Sequence, residues 1–403
     1  MNAAPGAGTA AAPGARAGAA DGTPTGAAAD FLVIGGGIAG AAAGYFLAPH
    51  GRVVLLEAER APGTHATGRS AALFSEYFGN TAVRALTVAA RAFYARPPAG
   101  FAAAPLLTPR GVLALETPGT GAEFEAALAS GATAPQPAAE IGRRRALELC
   151  PALRPDAFGR ALYKPGACDI DVDAAHQGFL RGLRAASGSV VTGARVRALI
   201  RRAGSWRAAT DAGEFTAPVV VNAAGAWADE VAGLAGVPPV GLVPRRRTAA
   251  LARLPAGHDV RGWPMVSDVA DTFYAKPESG GLLLSPVDDE PAPPGDVRPR
   301  DLDVAAAVDR FEAVAPLGIR HIGHAWAGLR TSTPDDTPVL GPCPHVPGFC
   351  WMAGLGGYGI QTAPAAGALL AALATGGTLP SALAPLVPQL TPLRGRAPLR
   401  EER

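Results

Sequence analysis

Lysine is almost missing from this 403-residue chain: of 36 Lys and Arg residues, only Lys164 and Lys276 are lysine. Charge of either sign is sparse at 17%, below the usual proportion of roughly a quarter, and the net charge is +2. So neutral a chain has no basic stripe for a nucleic acid partner. The arginine excess, beside abundant Ala, Gly and Pro, reads as genome composition before function. Cysteine is scarce as well. Cys150, Cys168, Cys343 and Cys350 form no CxxC and no His pair has zinc-ligand spacing, so neither a disulfide framework nor a metal site is expected. The start lacks a basic segment followed by an apolar one, which argues against a secretory signal and makes a reducing cytoplasm the expected compartment. The uncharged run Phe31 to Ala48 is long enough for a membrane span but holds five glycines. A turn within a soluble fold explains it better, and no stable membrane insertion is expected.

What the chain has in quantity is small and apolar residues. It is 48% hydrophobic, with length enough for two domains that each bury a core. Residues 1 to 29 are mostly Ala, Gly, Pro and Thr; they have too little to bury and are expected to be disordered. Phe31 to Ile34 reads as a buried strand, Gly35 to Gly40 as a turn, and Ala41 to Leu47 as a helix broken by Pro49-His50-Gly51. Arg52 to Leu56 is a second buried strand, completing a βαβ unit with parallel strands. Further helices are expected over 82–94, 123–129, 173–186, 303–313 and 360–374. Further strands are expected over 111–116, 206–210, 219–221, 280–285 and 349–353. Val190 to Ile200 reads as one strand of a meander, and Asp288 to Pro299, rich in Pro and Asp, as a surface loop. Strands ending in glycine turns near the start, middle and end indicate an α/β nucleotide-binding domain built from separated pieces. The antiparallel signals between them indicate an inserted second domain.

Gly35-x-Gly37-x-x-Gly40 follows a strand and opens a helix. The first glycine permits the tight turn, the second lets backbone approach a pyrophosphate, and the third lets helix and strand pack closely. The helix N-terminus offers free N–H groups to phosphate. Glu57, 22 residues past Gly35 at the end of the next strand, suits the two ribose hydroxyls and would repel a 2′-phosphate. The motif does not separate NAD from FAD. The segment Thr64 to Ala72, with Gly68, Arg69 and Ser70, and the turn Gly354-Leu-Gly-Gly-Tyr-Gly359 both fit a flavin, the second by aiming a helix dipole at its pyrimidine edge.

Together these segments resemble the D-amino-acid-oxidase superfamily of flavoproteins, and within it the D-arginine dehydrogenases. The likeness is carried in order by His65-Ala-Thr-Gly-Arg-Ser-Ala-Ala72, Pro97-Pro-Ala-Gly-Phe101, Asp169-Ile-Asp-Val-Asp173, His176-Gln-Gly178, Asn222-Ala-Ala-Gly-Ala-Trp227 and Gly233-Leu-Ala-Gly-Val237. It continues through Phe273-Tyr-Ala-Lys-Pro277, Ala325-Trp-Ala-Gly-Leu-Arg330 and Gly356-Gly-Tyr-Gly-Ile-Gln-Thr362. The resemblance implies non-covalent FAD, a glutathione-reductase-type Rossmann-like domain and a substrate domain on an antiparallel sheet. The expected division is 30–80, 168–240 and 325–385 for FAD, 81–167 and 241–324 for substrate, and a tail from 386 to 403. It implies a cofactor set of Gly35, Gly37, Ile38, Ala39, Gly40, Glu57, Thr67, Gly68, Arg69, Ser70, Ala71, Ala72, Val196, Ala224, Gly225, Trp227, Arg330, Gly356, Gly357, Tyr358, Gly359, Ile360, Gln361 and Thr362.

The implied reaction is oxidative deamination of a D-amino acid. Hydride passes from the α-carbon to flavin N5, and the imino acid is hydrolysed to keto acid and ammonia. Arg247 and Arg330 would clamp the substrate carboxylate, Tyr274 would add a hydroxyl, and the Gly357 carbonyl would receive the amine. By themselves these residues have plainer readings, since Arg245-Arg246-Arg247 also resembles a solvated face and Tyr274 a core residue. Three positions depart from the D-arginine dehydrogenases. Leu73, Phe78 and Val112 stand where that group has histidine, tyrosine and glutamate. With Met265 they form an expected apolar pocket wall, which cannot hold a guanidinium. Apolar or uncharged side chains are therefore expected over D-arginine, unless Glu76 or another acid, such as Asp268 or Asp271, substitutes. Other readings stay open: a glycine- or sarcosine-type oxidase using O₂, a flavin-binding subunit without catalysis, or a membrane-associated quinone reductase. The electron acceptor (a quinone, another carrier or O₂) is not readable.

Overall fold

The computed structural model describes residues 28–255 and 257–392. The expected disorder over 1–27 lies outside them. Ala28 bridges to Thr216, and Ala29 is buried with its N–H bonded to the Thr216 carbonyl at 3.0 Å.

Four sheets organise the chain. The first has six strands. Phe31–Ile34 lies at its centre, parallel to Val53–Leu56 on one side and to Val219–Asn222 on the other. Phe349–Ala353 extends it on one flank and Ser189–Val191 on the other, both parallel, and Val339–Pro342 closes the first of these edges antiparallel. Phe31–Ile34, Val53–Leu56 and Phe349–Ala353 are apolar throughout because both faces are covered. One face carries the helices Ile38–Leu47, Val172–Ala185 and Gly359–Thr375. Close packing among them depends on glycine. A side chain at Gly44 would press on Leu183, and one at Gly367 would press on Phe46 and the Ala42 backbone. Val172–Ala185 starts where the Asp171 carboxylate accepts from the Ala174 N–H at 2.8 Å, an N-cap.

The stretch Val190 to Ile200 is two strands rather than one. Ser189–Val191 joins the parallel sheet, and Val196–Arg202 joins the antiparallel meander with Ser205–Thr210 and Gly213–Ala217. Gly193, at a φ of 62°, makes the turn between them, and this break is what the apolar pattern concealed.

A mixed nine-stranded sheet forms the other half. One face packs on the helix Asp301–Val314 through Leu113, Val266, Ala275, Leu284 and Phe311. The opposite face looks toward the glycine turns. The strand His321–Ser332 crosses the expected boundary at residue 325 and pairs with Val243–Arg253 in this sheet. At the far end, residues expected as a tail begin with a short helix, Val387–Leu390, whose Leu390 is fully buried against the first core.

Candidate active site

The glycine turn is a cradle that no side chain could share. Gly35 has a φ of 106°, and a Cβ there would lie 2.4 Å from the Ala223 carbonyl oxygen. At Gly40 it would lie 1.8 Å from the Gly35 oxygen. The turn is pinned from three sides: the Ile38 N–H donates to the Thr67 hydroxyl at 2.9 Å, the Gly36 N–H donates to a Glu57 carboxylate oxygen at 2.7 Å, and His176 bonds the Gly36 carbonyl at 2.9 Å. Burial raises the Glu57 carboxyl pKa, opposed by hydrogen bonds from the Glu59 and Gly36 N–H groups. Burial depresses the His176 imidazole.

These residues open on a cavity of about 430 Å³. Of the expected cofactor set, Gly35, Gly37, Ile38, Ala39, Glu57, Thr67, Arg69, Val196, Ala224, Gly225, Trp227, Gly356 and Gly359 line it. Others serve the structure around it. The Gly68 N–H bonds the Gly63 carbonyl, Ser70 accepts from the Ala72 N–H, Gln361 joins the Ser75 N–H to the Thr87 hydroxyl, and the Thr362 hydroxyl returns to the Tyr358 carbonyl. The Ile360 carbonyl accepts from the Tyr94 hydroxyl at 2.5 Å. Arg69, which lines the cavity, ties the Asp296 carboxylate and the carbonyls of Val297 and Ala327 together. His65 was given no chemistry by the sequence. It lines the cavity with its ring 4.7 Å from Trp227 and bonds Glu59 through Nε2, while its buried Nδ1 has no partner.

The substrate residues meet on the free face of the nine-stranded sheet. Arg247 pairs with Gly328, two residues from Arg330, so both arginines point the same way. Burial and the neighbouring Arg330 depress the Arg247 guanidinium, while Tyr274 and Asp289 work the other way. Following the same face across the sheet gives Tyr274, then Met265, then Val112, since Met265 lies beside Val112. Val112, Met265 and Tyr274 share one apolar cluster with Leu73, Phe78 and Ala71, so all four expected pocket residues come together. A side chain at Gly357 would lie 2.8 Å from an Arg330 nitrogen; the glycine lets the guanidinium lie against open backbone. Tyr358, expected with the cofactor, feels Arg330, Asp271 and Arg247 and therefore borders the arginines.

The acids sort differently from their sequence reading. Glu76 is buried in a two-point ion pair with Arg91, at 2.6 and 3.1 Å. Asp268 is buried and caps its own turn through the Thr272 N–H and hydroxyl. Asp271 is solvent-accessible by area, yet enough protein surrounds it to raise its carboxyl; a residue facing a cleft reconciles the two. The loop expected over Asp288 to Pro299 is built into the site. The Asp288 carbonyl accepts from Arg247 Nε at 2.7 Å, and Asp289 lies 3.4 Å from its Nη2.

The glycine cradle, the acid at the second strand and the arginine-bearing sheet face define a flavin-dependent oxidoreductase. Residues 30–373 match the family model described as "FAD dependent oxidoreductase" (DAO), and the chain belongs to that family. Rat (Rattus norvegicus) mitochondrial dimethylglycine dehydrogenase is 29% identical over 245 residues, 55% of this chain and 28% of that protein. The chain spans about a third of the length of the curated relatives it matches. Among solved structures, L-proline dehydrogenase from P. horikoshii has a TM-score of 0.80 at 22% identity, covering 91% of this chain and 97% of that one. Glycine oxidase from Geobacillus kaustophilus has a TM-score of 0.78 at 24% identity, covering 90% and 98%. FAD fits the residues present. The cradle excludes side chains where a pyrophosphate would pass, and Glu57 lines the same cavity where it would meet a ribose.

Proposed function

We propose that the protein oxidises the carbon–nitrogen bond of an amino acid, a D-amino acid by the sequence resemblance, and releases a keto acid and ammonia after hydrolysis. The observation that carries this reading is the pair Arg247 and Arg330 on one sheet face beside Tyr274. Burial first and the neighbouring Arg330 second disfavour the Arg247 cation, and a bound carboxylate offsets both. The fork of each arginine fixes the carboxylate plane, and the Tyr274 hydroxyl adds a third contact. The Gly357 backbone beside Arg330 then receives the amine, which fixes the direction of the α-hydrogen. When bound, FAD supplies the acceptor for the hydride. Leu73, Phe78, Val112 and Met265 exclude water and suit a hydrocarbon side chain. With Glu76 committed to Arg91 and Asp268 to Thr272, the acid left near this wall is Asp271, whose charged form burial disfavours, and D-arginine is expected to be a poor substrate.

The test compares each amino acid with the amine that lacks its carboxylate. The reading expects flavin reduction by the amino acid alone. It expects Arg330→Gln to lose about 2–5 kcal/mol of transition-state binding, a drop in kcat/KM of roughly thirtyfold or more. Equal turnover of the simple amine, or an unaffected Arg330→Gln, contradicts it.

A further inference from the structure

Beyond Val112 the site face does not end in hydrocarbon. The next strand, Ala161–Lys164, places Lys164 directly opposite Val112. Lys164 is 8% exposed. Its ammonium sits 4.9 Å from the centre of the Phe78 ring, the same Phe78 that belongs to the apolar wall. Among the described residues it makes no hydrogen bond and no ion pair. The contrast with the chain's other lysine is instructive. Lys276 is equally buried but pairs with Asp169 at 3.2 Å and Glu278 at 2.9 Å. A buried ammonium with no carboxylate in hydrogen-bond reach is costly; an aromatic ring recovers only part of that cost, and Asp271 acts on it from beyond ion-pair distance. In a chain that uses arginine nearly everywhere, this lysine stands beside the apolar wall with no hydrogen-bonding partner among the described residues.

We infer that Lys164 is the recognition group for a second anion, and that the preferred substrates are amino acids whose side chain ends in a carboxylate. The inference rests on the proposed amino acid oxidation and names its substrate class. The face reads, strand by strand, as paired arginines, Tyr274, Met265, Val112 and Lys164: a cation at each end and hydrocarbon between. Five strand steps of about 4.8 Å separate the backbones of Arg247 and Lys164 across the sheet, and the register sets them four residues apart along the strands, roughly 13 Å more, less the reach of two long side chains and the curvature of the sheet. Burial holds the Asp271 carboxyl above its ordinary range, and the nearby Lys164 works the other way. The distance selects length. Aspartate is too short to touch both ends, and longer homologues approach the fit.

The experiment uses the purified holoenzyme with aspartate, glutamate, 2-aminoadipate and 2-aminopimelate in both configurations, each beside an uncharged analogue of equal length. The expected result is a kcat/KM for the acid at least tenfold above its neutral partner, rising with chain length. Lys164→Met is expected to cut that acid-to-neutral ratio at least tenfold, and Lys164→Arg to retain part of it. A wild type that prefers the neutral analogue overturns the inference while leaving amino acid oxidation standing, as does an unchanged ratio in Lys164→Met. Flavin difference spectra with adipate and pimelate read the same site without turnover. Saturable binding that weakens in Lys164→Met supports the lysine even if no amino acid is oxidised, and no binding to the wild type overturns it.

Discussion

Asp289 lies 3.4 Å from Arg247 and is itself well exposed, so it would compete with a substrate carboxylate for that guanidinium. An exposed pair of this kind is worth up to about 1 kcal/mol. Asp289→Asn is therefore expected to lower KM about two- to fivefold with little change in kcat; a raised KM would show that the aspartate positions Arg247 instead. His176 makes a second prediction. Its imidazole is neutral and bonded to the Gly36 carbonyl, with its pKa below the ordinary 6.5 because burial disfavours the cation. The unfolded chain binds the proton more readily, so this contribution to stability is complete above 6.5 and is lost as pH falls through the depressed value. Urea midpoints measured between pH 5 and 8 should fall toward the acid end, and His176→Gln should flatten that slope. An unchanged slope would assign it to other groups.

At the scale of elements, the first βαβ unit was legible because glycine spacing, strand length and Glu57 all answer to one geometry. Gly40 tests it: a Cβ would sit 1.8 Å from the Gly35 oxygen, backbone that cannot yield cheaply. Gly40→Ala should weaken FAD binding at least about tenfold, read as loss of the yellow chromophore on purification; full flavin occupancy would contradict the cradle. Less was legible where contacts are long-range. The split between Ser189–Val191 and Val196–Arg202 turns on a glycine inside one apolar run. The ties of Arg69 to Asp296, Val297 and Ala327 were not legible, because these partners lie more than 220 residues away. The ion pair of Glu76 with Arg91, one helix away, was not legible for the same reason.

For the molecule as a whole, the division of labour between the two large sheets follows from their two kinds of face. The six-stranded sheet is covered on both sides and holds the cradle at the ends of its parallel strands, where open α/β sheets bind ligands. The nine-stranded sheet packs one face on a helix and turns the other toward that cradle. The arginines, Tyr274 and the apolar wall were readable from resemblance, and the register explains why they meet. Lys164 was not, because nothing in the sequence marks a lone lysine before Pro165 as the neighbour of Val112. Among the described residues no helix is long and apolar enough to cross a membrane. The central claim, a carboxylate clamp that presents an amino acid for oxidation, is tested most directly by adding D- and L-amino acids to the holoenzyme without oxygen while following the flavin band. Bleaching by amino acids with uncharged or acid-ended side chains, with D-arginine slow and ammonia released in equal amount, is the predicted result. A flavin that no amino acid reduces, or one reduced as readily by amines without a carboxylate, would contradict it.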